Sequence, residues 1–368
     1  MKRNILVMGG TGAMGIHLVK ILENLQDNVY VTSRSKRAST KNIHYIQGNA
    51  HNINFIQEIL NQRHYDAIID FMTYSTLEFN KRYTEYLNGT DQYFLLSTAR
   101  VYAQSDIIKE DSPRLLDIIK DSEYLKTDEY ALCKARQEDI LKNSGRKNWT
   151  IIRPYMTYSE NRLQLGIFDK DTFVYRALHG RPIVVSNDIM SHTTTLTYGY
   201  DVSACIAKLI GNPKAYGEVF HITTDKTIPW MDVLNIYVKA IEEKTGKEQK
   251  VVITERSNQL DYPIQCYQVL YDRVYDRRFD NTKILKAIGN YTFTDPYIGL
   301  RKCIDSFLNN PYFSILSGKL EGTNDYYSHT HTPLSEFVGL KNKIRYIIYR
   351  MNPILAIKIK KAIKLNGK

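Results

Sequence analysis

The sequence predicts an α/β protein built around a doubly wound parallel sheet. Short apolar runs alternate with segments of helical periodicity through the first 154 residues, and a glycine-rich loop follows the first of these runs. Alternation of this kind indicates βαβ units, in which the strands lie parallel and helices cover the sheet. A chain of 368 residues, 43% of them hydrophobic, can form one large α/β unit or two closely joined domains.

The predicted elements of the first part follow one another in a regular order. Residues 4–8 form a short apolar strand, and residues 16–25 place apolar side chains at the helical repeat. The further predicted strands are 28–33, 43–48, 66–71, 92–97 and 149–154, and the further predicted helices are 53–62, 76–88 and one that carries Tyr130 and Lys134. We therefore expect one sheet domain over residues 1–154.

The loop between the first strand and the first helix reads Gly-Gly-Thr-Gly-Ala-Met-Gly from Gly9 to Gly15. In a Gly-x-x-Gly-x-x-Gly pattern, the first glycine allows a tight turn and the second lets backbone N–H groups approach a pyrophosphate. The third glycine permits close helix–strand packing, and the helix N-terminus adds partial positive charge. A plain turn is the alternative, but the strand–loop–helix context favours a Rossmann-type NAD(P)-binding domain.

The end of the second strand bears on the choice of dinucleotide. A carboxylate there would hydrogen-bond an unmodified ribose 2′-hydroxyl, whereas an arginine would accommodate a 2′-phosphate. Ser33 stands at the position of the carboxylate, and Arg34 follows it. This arrangement favours NADP(H) over NAD, which remains the alternative; a solvated basic loop would have the same composition.

Tyr130 and Lys134 are four residues apart on a predicted helix, so their side chains lie on one face. A phenol normally has a pKa of about 10, and a fixed ammonium nearby stabilises the phenolate and lowers that pKa. The pair could therefore serve as an acid/base device at neutral pH. In a chain with 28 tyrosines the same spacing also arises by chance, so the pair acquires meaning only together with other signals.

The pattern loosens beyond Pro154. The predicted elements there are a strand at 193–198, a helix at 201–210, a strand at 217–222 and helices near 230–243 and 296–309. We expect residues 155–312 to form a smaller substrate-binding α/β subdomain, interleaved with the first domain and placed over the carboxyl ends of its strands.

The net charge of +11 is concentrated in the last part of the chain. Residues 341–368 contain nine Lys and Arg and no acidic residue, which leaves only +2 for the first 340 residues. A nearly neutral body argues against a broad electrostatic footprint for DNA or RNA, so we expect no nucleic-acid partner.

Residues 313–368 are predicted to form a linker, rich in Gly, Ser, His and Thr from Ser317 to Pro333, and a helical basic tail. Two apolar stripes at helical spacing are predicted in the tail. The first consists of Ile344, Ile347, Ile348 and Met351, and the second of Leu355, Ile359, Ala362 and Ile363, opposite Lys360, Lys361 and Lys364. An apolar face beside basic side chains is typical of a helix on an anionic membrane surface, and packing on the body is the open alternative.

The four cysteines lie far apart without a C-x-x-C pair, which predicts reduced thiols and no metal site. The apolar run near the N-terminus is five residues long, too short for the core of a signal peptide. No run of eighteen apolar residues is present that could span a bilayer. We expect a cytoplasmic protein, with peripheral contact with the inner membrane face through residues 341–368 as an open alternative.

Three motifs, in this order along the chain, resemble those of one family. They are the glycine loop at 9–15, "LLSTARVY" at 95–102 after the fifth strand, and "YALCK" at 130–134 on the next helix. Over about residues 3–310 the chain is similar to the extended short-chain dehydrogenase/reductases, the epimerase, dehydratase and reductase enzymes of nucleotide sugars. Weaker matches are "GEVFHIT" and "RRFDNTK".

The resemblance implies a catalytic set and a cofactor site. Tyr130 would be the acid/base, Lys134 would lower its pKa and hold the nicotinamide ribose, and Thr98 would hydrogen-bond the substrate oxygen. The implied cofactor contacts are Gly9, Thr11, Gly12, Ala13, Met14, Gly15, Ser33, Arg34, Asn49, Phe71, Tyr130 and Lys134.

Several positions depart from the family pattern. Ala99 and Arg100 stand where the 4,6-dehydratases carry an Asp-Glu pair, which disfavours elimination. Met156 replaces an asparagine of many sugar-nucleotide epimerases, and Asn49 and Ala103 also differ from common residues. The segment "IDFMTYST" at 69–76 resembles a divergent branch related to chloroplast stem-loop-binding proteins, some of which bind RNA.

The resemblance therefore implies an NAD(P)-dependent oxidoreductase that acts on a nucleotide sugar in surface polysaccharide biosynthesis. A 4-keto reductase and an epimerase are both open, and Arg34 slightly favours the reductase. The alternative is a non-catalytic NADP-binding or RNA-binding member of the same fold. Dimerisation through two helices is common in the family, so a homodimer is a further expectation.

Overall fold

The structure is a computed structural model that describes residues 2–260 and 266–356. The chain divides into two compact units. The first unit comprises the residues up to Ser159, Thr195–Lys226 and Arg277–Pro296, and the second comprises Glu160–Thr194, Thr227–Asp276 and the residues from Tyr297 onward. The domain boundaries expected at 154 and 312 stay a prediction.

Strands and helices are numbered here in chain order. The strands are β1 (Asn4–Met8), β2 (Asn28–Ser33), β3 (Ile43–Gln47), β4 (Ala67–Asp70), β5 (Tyr93–Leu96), β6 (Trp149–Pro154), β7 (Thr157–Tyr158), β8 (Gln164–Leu165), β9 (Phe168–Asp169), β10 (Ile183–Ser186), β11 (Thr193–Thr194), β12 (Thr197–Tyr198), β13 (Glu218–Ile222), β14 (Ile228–Pro229) and β15 (Val251–Thr254). The helices are α1 (Gly15–Asn24), α2 (Ile53–Gln62), α3 (Thr76–Asn80), α4 (Tyr83–Asn88), α5 (Leu115–Ile118), α6 (Ser122–Leu125), α7 (Tyr130–Lys142), α8 (Lys170–Leu178), α9 (Asn187–Met190), α10 (Gly199–Leu209), α11 (Trp230–Thr245), α12 (Cys266–Gln268), α13 (Thr282–Ile288), α14 (Pro296–Asn309), α15 (Gly318–Ser328) and α16 (Leu340–Met351).

A seven-stranded parallel sheet forms the centre of the first unit, in the order β13-β6-β5-β4-β1-β2-β3. Successive side chains of β1 point to opposite faces, so Ile5 and Val7 enter one hydrophobic cluster while Leu6 and Met8 enter another. Burial on both faces explains why the central strands β1, β4 and β5 are almost continuously apolar. The strand order reverses beside β1, which places a cleft at the carboxyl ends of β1 and β4. The doubly wound Rossmann-type sheet is confirmed.

Two predicted elements are each divided in the structure. The helix expected over 76–88 is α3 followed by α4, because Arg82 lies between them with a non-helical backbone and donates to the carbonyls of Ala50 and His51, at 3.2 and 3.1 Å. The strand expected over 193–198 is β11 followed by β12, which pair with different strands, β14 and β7.

The second unit corrects one expectation about the last part of the chain. The stretch Ser317–Pro333, expected to be a linker, contains the helix α15. Ser317 caps it by accepting a hydrogen bond from the N–H of Leu320 at 3.4 Å. Its glycines serve close packing: a Cβ on Gly322 would lie 2.6 Å from the carbonyl oxygen of Tyr346 in α16. A composition rich in glycine suggested a linker, but here the glycines permit two helices to touch.

Candidate functional site

The glycine loop lies directly against the sheet. Gly9 has a φ of +70°, and its N–H donates to the hydroxyl of Thr32 in β2 at 3.2 Å. A Cβ on Gly10 would lie 2.9 Å from methyl groups of β1 and β2, and one on Gly15 would lie 2.6 Å from the backbone of Gly10. These positions exclude larger residues, so the three glycines fix the path of the loop.

The start of α1 can receive an anion. Among the described residues no side chain caps its first turn, and the turn contains no acidic residue. Ser203 donates to the carbonyl of Met14 at 2.8 Å, and a Cβ on Gly199 would lie 2.9 Å from the carbonyl oxygen of Ala13, so α10 packs directly against the loop. Ile16 already donates its N–H to the carbonyl of Gly12 at 3.1 Å, so the N–H groups just before it are those that could bind a pyrophosphate, and the site fits a dinucleotide.

The other predicted cofactor residues lie at the same edge of the sheet. Ser33 ends β2 and is buried, with its hydroxyl donating to the carbonyl of Ser35 at 2.8 Å, and the next residue, Arg34, is exposed. Asn49 follows β3 and is exposed, whereas Phe71 follows β4 and is half-buried. These side chains come from the carboxyl ends of neighbouring parallel strands, where a dinucleotide binds in this architecture.

Tyr130 is the first residue of α7, and the residues around it hold the helix start in place. Glu129 caps the helix, its carboxylate accepting from the N–H of Ala131 at 2.9 Å. The same carboxylate accepts from the hydroxyl of Tyr124 at 3.0 Å and from Arg100 at 2.7 Å. The Arg100 guanidinium lies 5.7 Å from the centre of the Tyr130 ring. A cation therefore faces the phenol that was predicted to transfer a proton.

Thr98 is linked to this helix start through a single turn. It follows β5 and caps the turn Ala99–Val101, where its hydroxyl accepts from the N–H of Arg100 at 3.2 Å. Arg100 in turn pairs with Glu129, so the turn that contains Thr98 is fixed to the first turn of α7. The structure thus brings the loop of Thr98 and the helix of Tyr130 together.

Lys134 and Asp70 form the buried part of the site. Lys134 is 1% exposed, and its Nζ donates to the carbonyl of Met72 at 3.4 Å. Burial lowers the pKa of Lys134, and the nearby Asp70 carboxylate opposes that shift. Asp70 ends β4 and accepts from the hydroxyl of Tyr93 at 2.7 Å and from the N–H of Met72 at 2.9 Å. Burial raises the pKa of Asp70 to about 6 although these hydrogen bonds stabilise its charge.

The segment after β4 is fastened to α7. Cys133 and Gln137 both donate to the carbonyl of Tyr74, at 3.1 and 2.8 Å. Thr76 donates to the carboxylate of Asp128, just before α7, at 2.6 Å. The position of Lys134 relative to β4 is therefore fixed by hydrogen bonds on both sides of it.

Sequence reasoning missed Asp70 and Glu129 as members of this site. Asp70 closes the apolar run "AIID", and an acidic residue at the buried end of a strand was the signal that could have revealed it. Glu129 directly precedes Tyr130, but no local sequence signal indicates its role, because that role depends on Arg100, which is 29 residues earlier.

The first unit also has a cavity of about 660 Å³ that lies elsewhere. Its lining includes Trp149 and Glu218, the first residues of β6 and β13, together with Lys142 and Lys283. It therefore opens at the amino ends of these strands, whereas the predicted site lies at the carboxyl ends. We do not assign the candidate site to this cavity.

The sequence model of the NAD dependent epimerase/dehydratase family matches residues 5–223. A curated relative is the chloroplast stem-loop binding protein of 41 kDa b from Arabidopsis thaliana, which is 26% identical over 254 residues. That match covers 65% of this chain and 63% of the relative, less than two thirds of its length.

Several solved structures share the fold. The enzyme WbmH from Bordetella bronchiseptica, in complex with NAD+, has a TM-score of 0.63 at 14% identity over 84% of this chain and 100% of its own. UDP-glucose 4-epimerase from Bifidobacterium longum, in complex with NAD+ and UDP, has a TM-score of 0.61 at 17% identity over 84% and 99%. dTDP-glucose 4,6-dehydratase from Bacillus anthracis, in complex with NAD, has a TM-score of 0.64 at 16% identity over 84% and 97%. These TM-scores show that the fold is shared, and at identities this low the likeness shows the fold alone.

Proposed function

Because this chain belongs to the NAD-dependent epimerase/dehydratase family, we propose that it is an oxidoreductase that uses a nicotinamide dinucleotide and acts on a nucleotide sugar. The observation that carries the proposal is the arrangement of α7, which begins at Tyr130 and buries the ammonium of Lys134 one turn later. A phenol one turn from a buried ammonium is suited to proton transfer at neutral pH.

In this proposal Tyr130, Lys134 and Thr98 are the catalytic residues. The bound nicotinamide would supply the hydride to a keto carbon. Tyr130 gives its proton to the carbonyl oxygen as the C–O double bond becomes a single bond, and Lys134 stabilises the phenolate that remains. Thr98 hydrogen-bonds the same oxygen as charge develops on it. The backbone from Gly9 to Gly15 and the start of α1 would hold the pyrophosphate.

The reverse direction of the same proton transfer would serve an epimerase. Tyr130 would remove the proton of a sugar hydroxyl while the hydride of the same carbon passes to an oxidised nicotinamide. The resulting keto sugar would turn over and receive the hydride back from the reduced nicotinamide on its other face. We favour a 4-keto reductase slightly, because Ser33 and the exposed Arg34 suit NADP(H). The solved structures with this fold contain NAD, so NAD is the competing cofactor.

We further propose that the protein is cytoplasmic, forms a homodimer and supplies precursors for surface polysaccharide. The resemblance of the three motifs to nucleotide-sugar enzymes supports these three points.

The test is to incubate the protein with UDP-, GDP- and dTDP-sugars, including 4-keto forms, and with NADPH or NADH. A reductase consumes one reduced cofactor for each product and adds two hydrogens to its mass, whereas an epimerase changes the chromatographic retention of the sugar nucleotide at unchanged mass and without net cofactor turnover. Tyr130→Phe should lower the rate by about 10²- to 10⁴-fold, since the proton donor is lost. Tyr312→Phe, at an exposed tyrosine of the second unit, is the matched control and should keep full activity. Equal rates for Tyr130→Phe and the wild type would contradict the proposal.

A second candidate function is RNA binding without catalysis. The relative from Arabidopsis thaliana is named as a stem-loop binding protein, and this observation favours it. If this function were correct, the Tyr130→Phe variant would bind a hairpin RNA as tightly as the wild type does, because the hydroxyl would have no part in binding. The near-neutral charge of residues 1–340 argues against it, since RNA affinity depends on a basic surface.

A further inference from the structure

The helix α16 presents two opposite faces with different surroundings. Tyr346 and Tyr349 are buried, and Phe337 stacks on Tyr346 at 4.7 Å between ring centres. The hydroxyl of Tyr346 donates to the carboxylate of Asp325 in α15 at 2.8 Å. This tyrosine face therefore packs on α15 within the second unit.

The contact between the two helices is close and fixed. Asn342 accepts from the N–H of Gly318 at 2.7 Å and donates to the carbonyl of Leu316 at 2.7 Å. Asp325 also accepts from the buried Arg176 of α8 at 2.8 Å. The orientation of α16 about its own axis is thus set by polar contacts on its inner side, and these contacts determine which side chains face outward.

The predicted apolar stripe is on the outer side. Ile344, Ile347, Ile348 and Met351 are between 43% and 75% exposed. Each residue of an α-helix advances about 100° around the axis, so this stripe is centred opposite the two tyrosines. The open alternative, that the tail packs on the body, describes one face of α16, and the predicted apolar stripe belongs to the other face. The second predicted stripe, from Leu355 to Ile363, extends outside the described residues.

Basic side chains border the apolar stripe on both sides. By the same rotation, Lys343 and Arg350 lie along one border and Lys341 and Arg345 along the other. No acidic residue occurs anywhere in residues 341–368. Within residues 2–260 and 266–356, no helix has the length and apolar character needed to cross a bilayer.

We propose that α16 docks the protein on an anionic bilayer surface, with its axis in the plane of the membrane. Ile344, Ile347, Ile348 and Met351 would enter the boundary between headgroups and acyl chains, where their apolar surface leaves water. Lys341, Lys343 and Arg345 would extend to the lipid phosphates while their methylene groups stay in the apolar layer. Arg350 adds positive charge beside them, with its Nε donating to the carbonyl of Thr330 at 3.1 Å. Anionic headgroups match the uniform positive charge of the segment.

A second copy of the chain fits this face less well. In a two-fold contact each patch meets itself, so the basic borders of one helix would face those of the other and repel. An RNA partner would pair with the basic borders but would leave the apolar stripe in contact with water or phosphate. The bilayer satisfies both parts of the face. This inference is independent of the proposed reaction.

The test uses the full chain in a sedimentation assay with vesicles of phosphatidylcholine, prepared with or without phosphatidylglycerol as the anionic lipid. We expect binding to the anionic vesicles, weakened as salt rises. The double variant Ile347→Ser/Ile348→Ser should lose at least about tenfold in partition coefficient, since two large apolar side chains no longer enter the bilayer. The matched control, Leu25→Ser/Leu77→Ser, removes side chains that are 56% and 65% exposed in the first unit and should bind like the wild type.

A charge variant tests the other half of the face. Lys341→Gln/Lys343→Gln should weaken binding by about 30-fold, from two basic side chains near a charged surface. Circular dichroism and the thermal midpoint verify that each variant is folded. The proposal is overturned if the wild type ignores anionic vesicles at moderate salt. It is also overturned if the Ile variant keeps vesicle binding but loses concentration-dependent dimerisation, because the apolar stripe would then bind a second copy of the chain. A third contrary result is that the protein binds a hairpin RNA but no vesicles, and that only the Lys variant weakens the RNA binding.

Discussion

The helix α7 carries two buried charges one turn apart, Lys134 and Glu138, and their surroundings differ sharply. Glu138 accepts hydrogen bonds from Ser97 at 2.6 Å, from Arg153 at 2.8 Å and from Arg114 at 3.3 Å. For Lys134, the hydrogen bond found among the described residues is a long one, 3.4 Å to the carbonyl of Met72. Glu138 is therefore enclosed by hydrogen-bond donors, whereas the hydrogen bond of Lys134 is weak.

The pKa of each group reflects this difference. Burial alone would raise the pKa of Glu138, but the Arg153 guanidinium and its hydrogen bonds bring that pKa below its usual value. Burial lowers the pKa of Lys134, and the Asp70 carboxylate offsets only part of that shift. The fold therefore stabilises the charged form of Glu138 and disfavours the charged form of Lys134. A buried side chain whose surroundings disfavour its charged form is expected at a functional site rather than in a structural ion pair.

The largest effect should come from removing the weakly supported charge. Lys134→Met should lower kcat/KM about 10³- to 10⁴-fold for the substrate identified in the sugar panel, because the phenolate and the nicotinamide ribose both lose their cation. The free energy of unfolding should not fall, since a poorly paired buried ammonium is replaced by an apolar side chain of similar length. Steady-state kinetics and urea unfolding measure the two quantities.

The matched control for this variant is Lys142→Met, two turns further along the same helix and partly exposed. It should keep full activity. If both variants were equally active, or if Lys134→Met unfolded the protein, Lys134 would be a structural residue like Glu138.

The next largest effect should come from the enclosed charge, and it should appear in stability. Glu138→Gln should lower the free energy of unfolding by about 3 to 5 kcal/mol, because Arg153 would stay buried without its anionic partner. The pKa of Glu138 is lowered in the folded state, so its contribution is complete above the ordinary pKa of 4.5 and is lost as the pH falls further. Urea unfolding from acid to neutral pH should show the difference between variant and wild type shrinking towards acid pH.

The neighbouring carboxylate provides the control for that measurement. Asp139 also binds Arg114, at 2.8 Å, but its side chain is partly exposed. Asp139→Asn should therefore lower the free energy of unfolding by about 1 kcal/mol or less. Equal losses for the two variants would show that enclosure of Glu138 has no special effect.

The sequence was sufficient for the sheet and for the place of the glycine loop between the first strand and the first helix. Both depend on local patterns: apolar runs of four to six residues predict buried parallel strands, and Gly10 and Gly15 occupy positions where a side chain would collide with methyl groups or backbone. Contacts between distant residues were beyond this reasoning, because spacing along the chain does not encode them.

Three such contacts illustrate the limit. Arg100 contacts Glu129, which lies 29 residues later in the chain, and also faces the ring of Tyr130. Asp70 lies near Lys134 only because hydrogen bonds hold the segment after β4 against α7. The helix α15 was taken for a linker because its glycines and polar residues suggest a loop in isolation. Arg176 lies 149 residues away from Asp325, so the ion pair that joins α8 to α15 cannot be predicted from the local sequence.

The smallest expected effect is the pH dependence of stability that Asp70 causes, and it tests how fully Asp70 balances the charge of Lys134. Its pKa is raised from 3.8 to about 6 in the folded state, so between these pH values the unfolded chain loses its proton first. Stability should therefore fall as the pH rises from about 4 to 6, by up to about 3 kcal/mol, and then stay level. Asp70→Asn should remove this fall, and Tyr93→Phe, which takes away a hydrogen bond to the carboxylate, should extend it to higher pH. Urea unfolding of the three proteins from acid to slightly alkaline pH measures this. If the wild type and Asp70→Asn have parallel pH profiles, the carboxyl is not perturbed, and Lys134 has a full counter-charge in Asp70 after all.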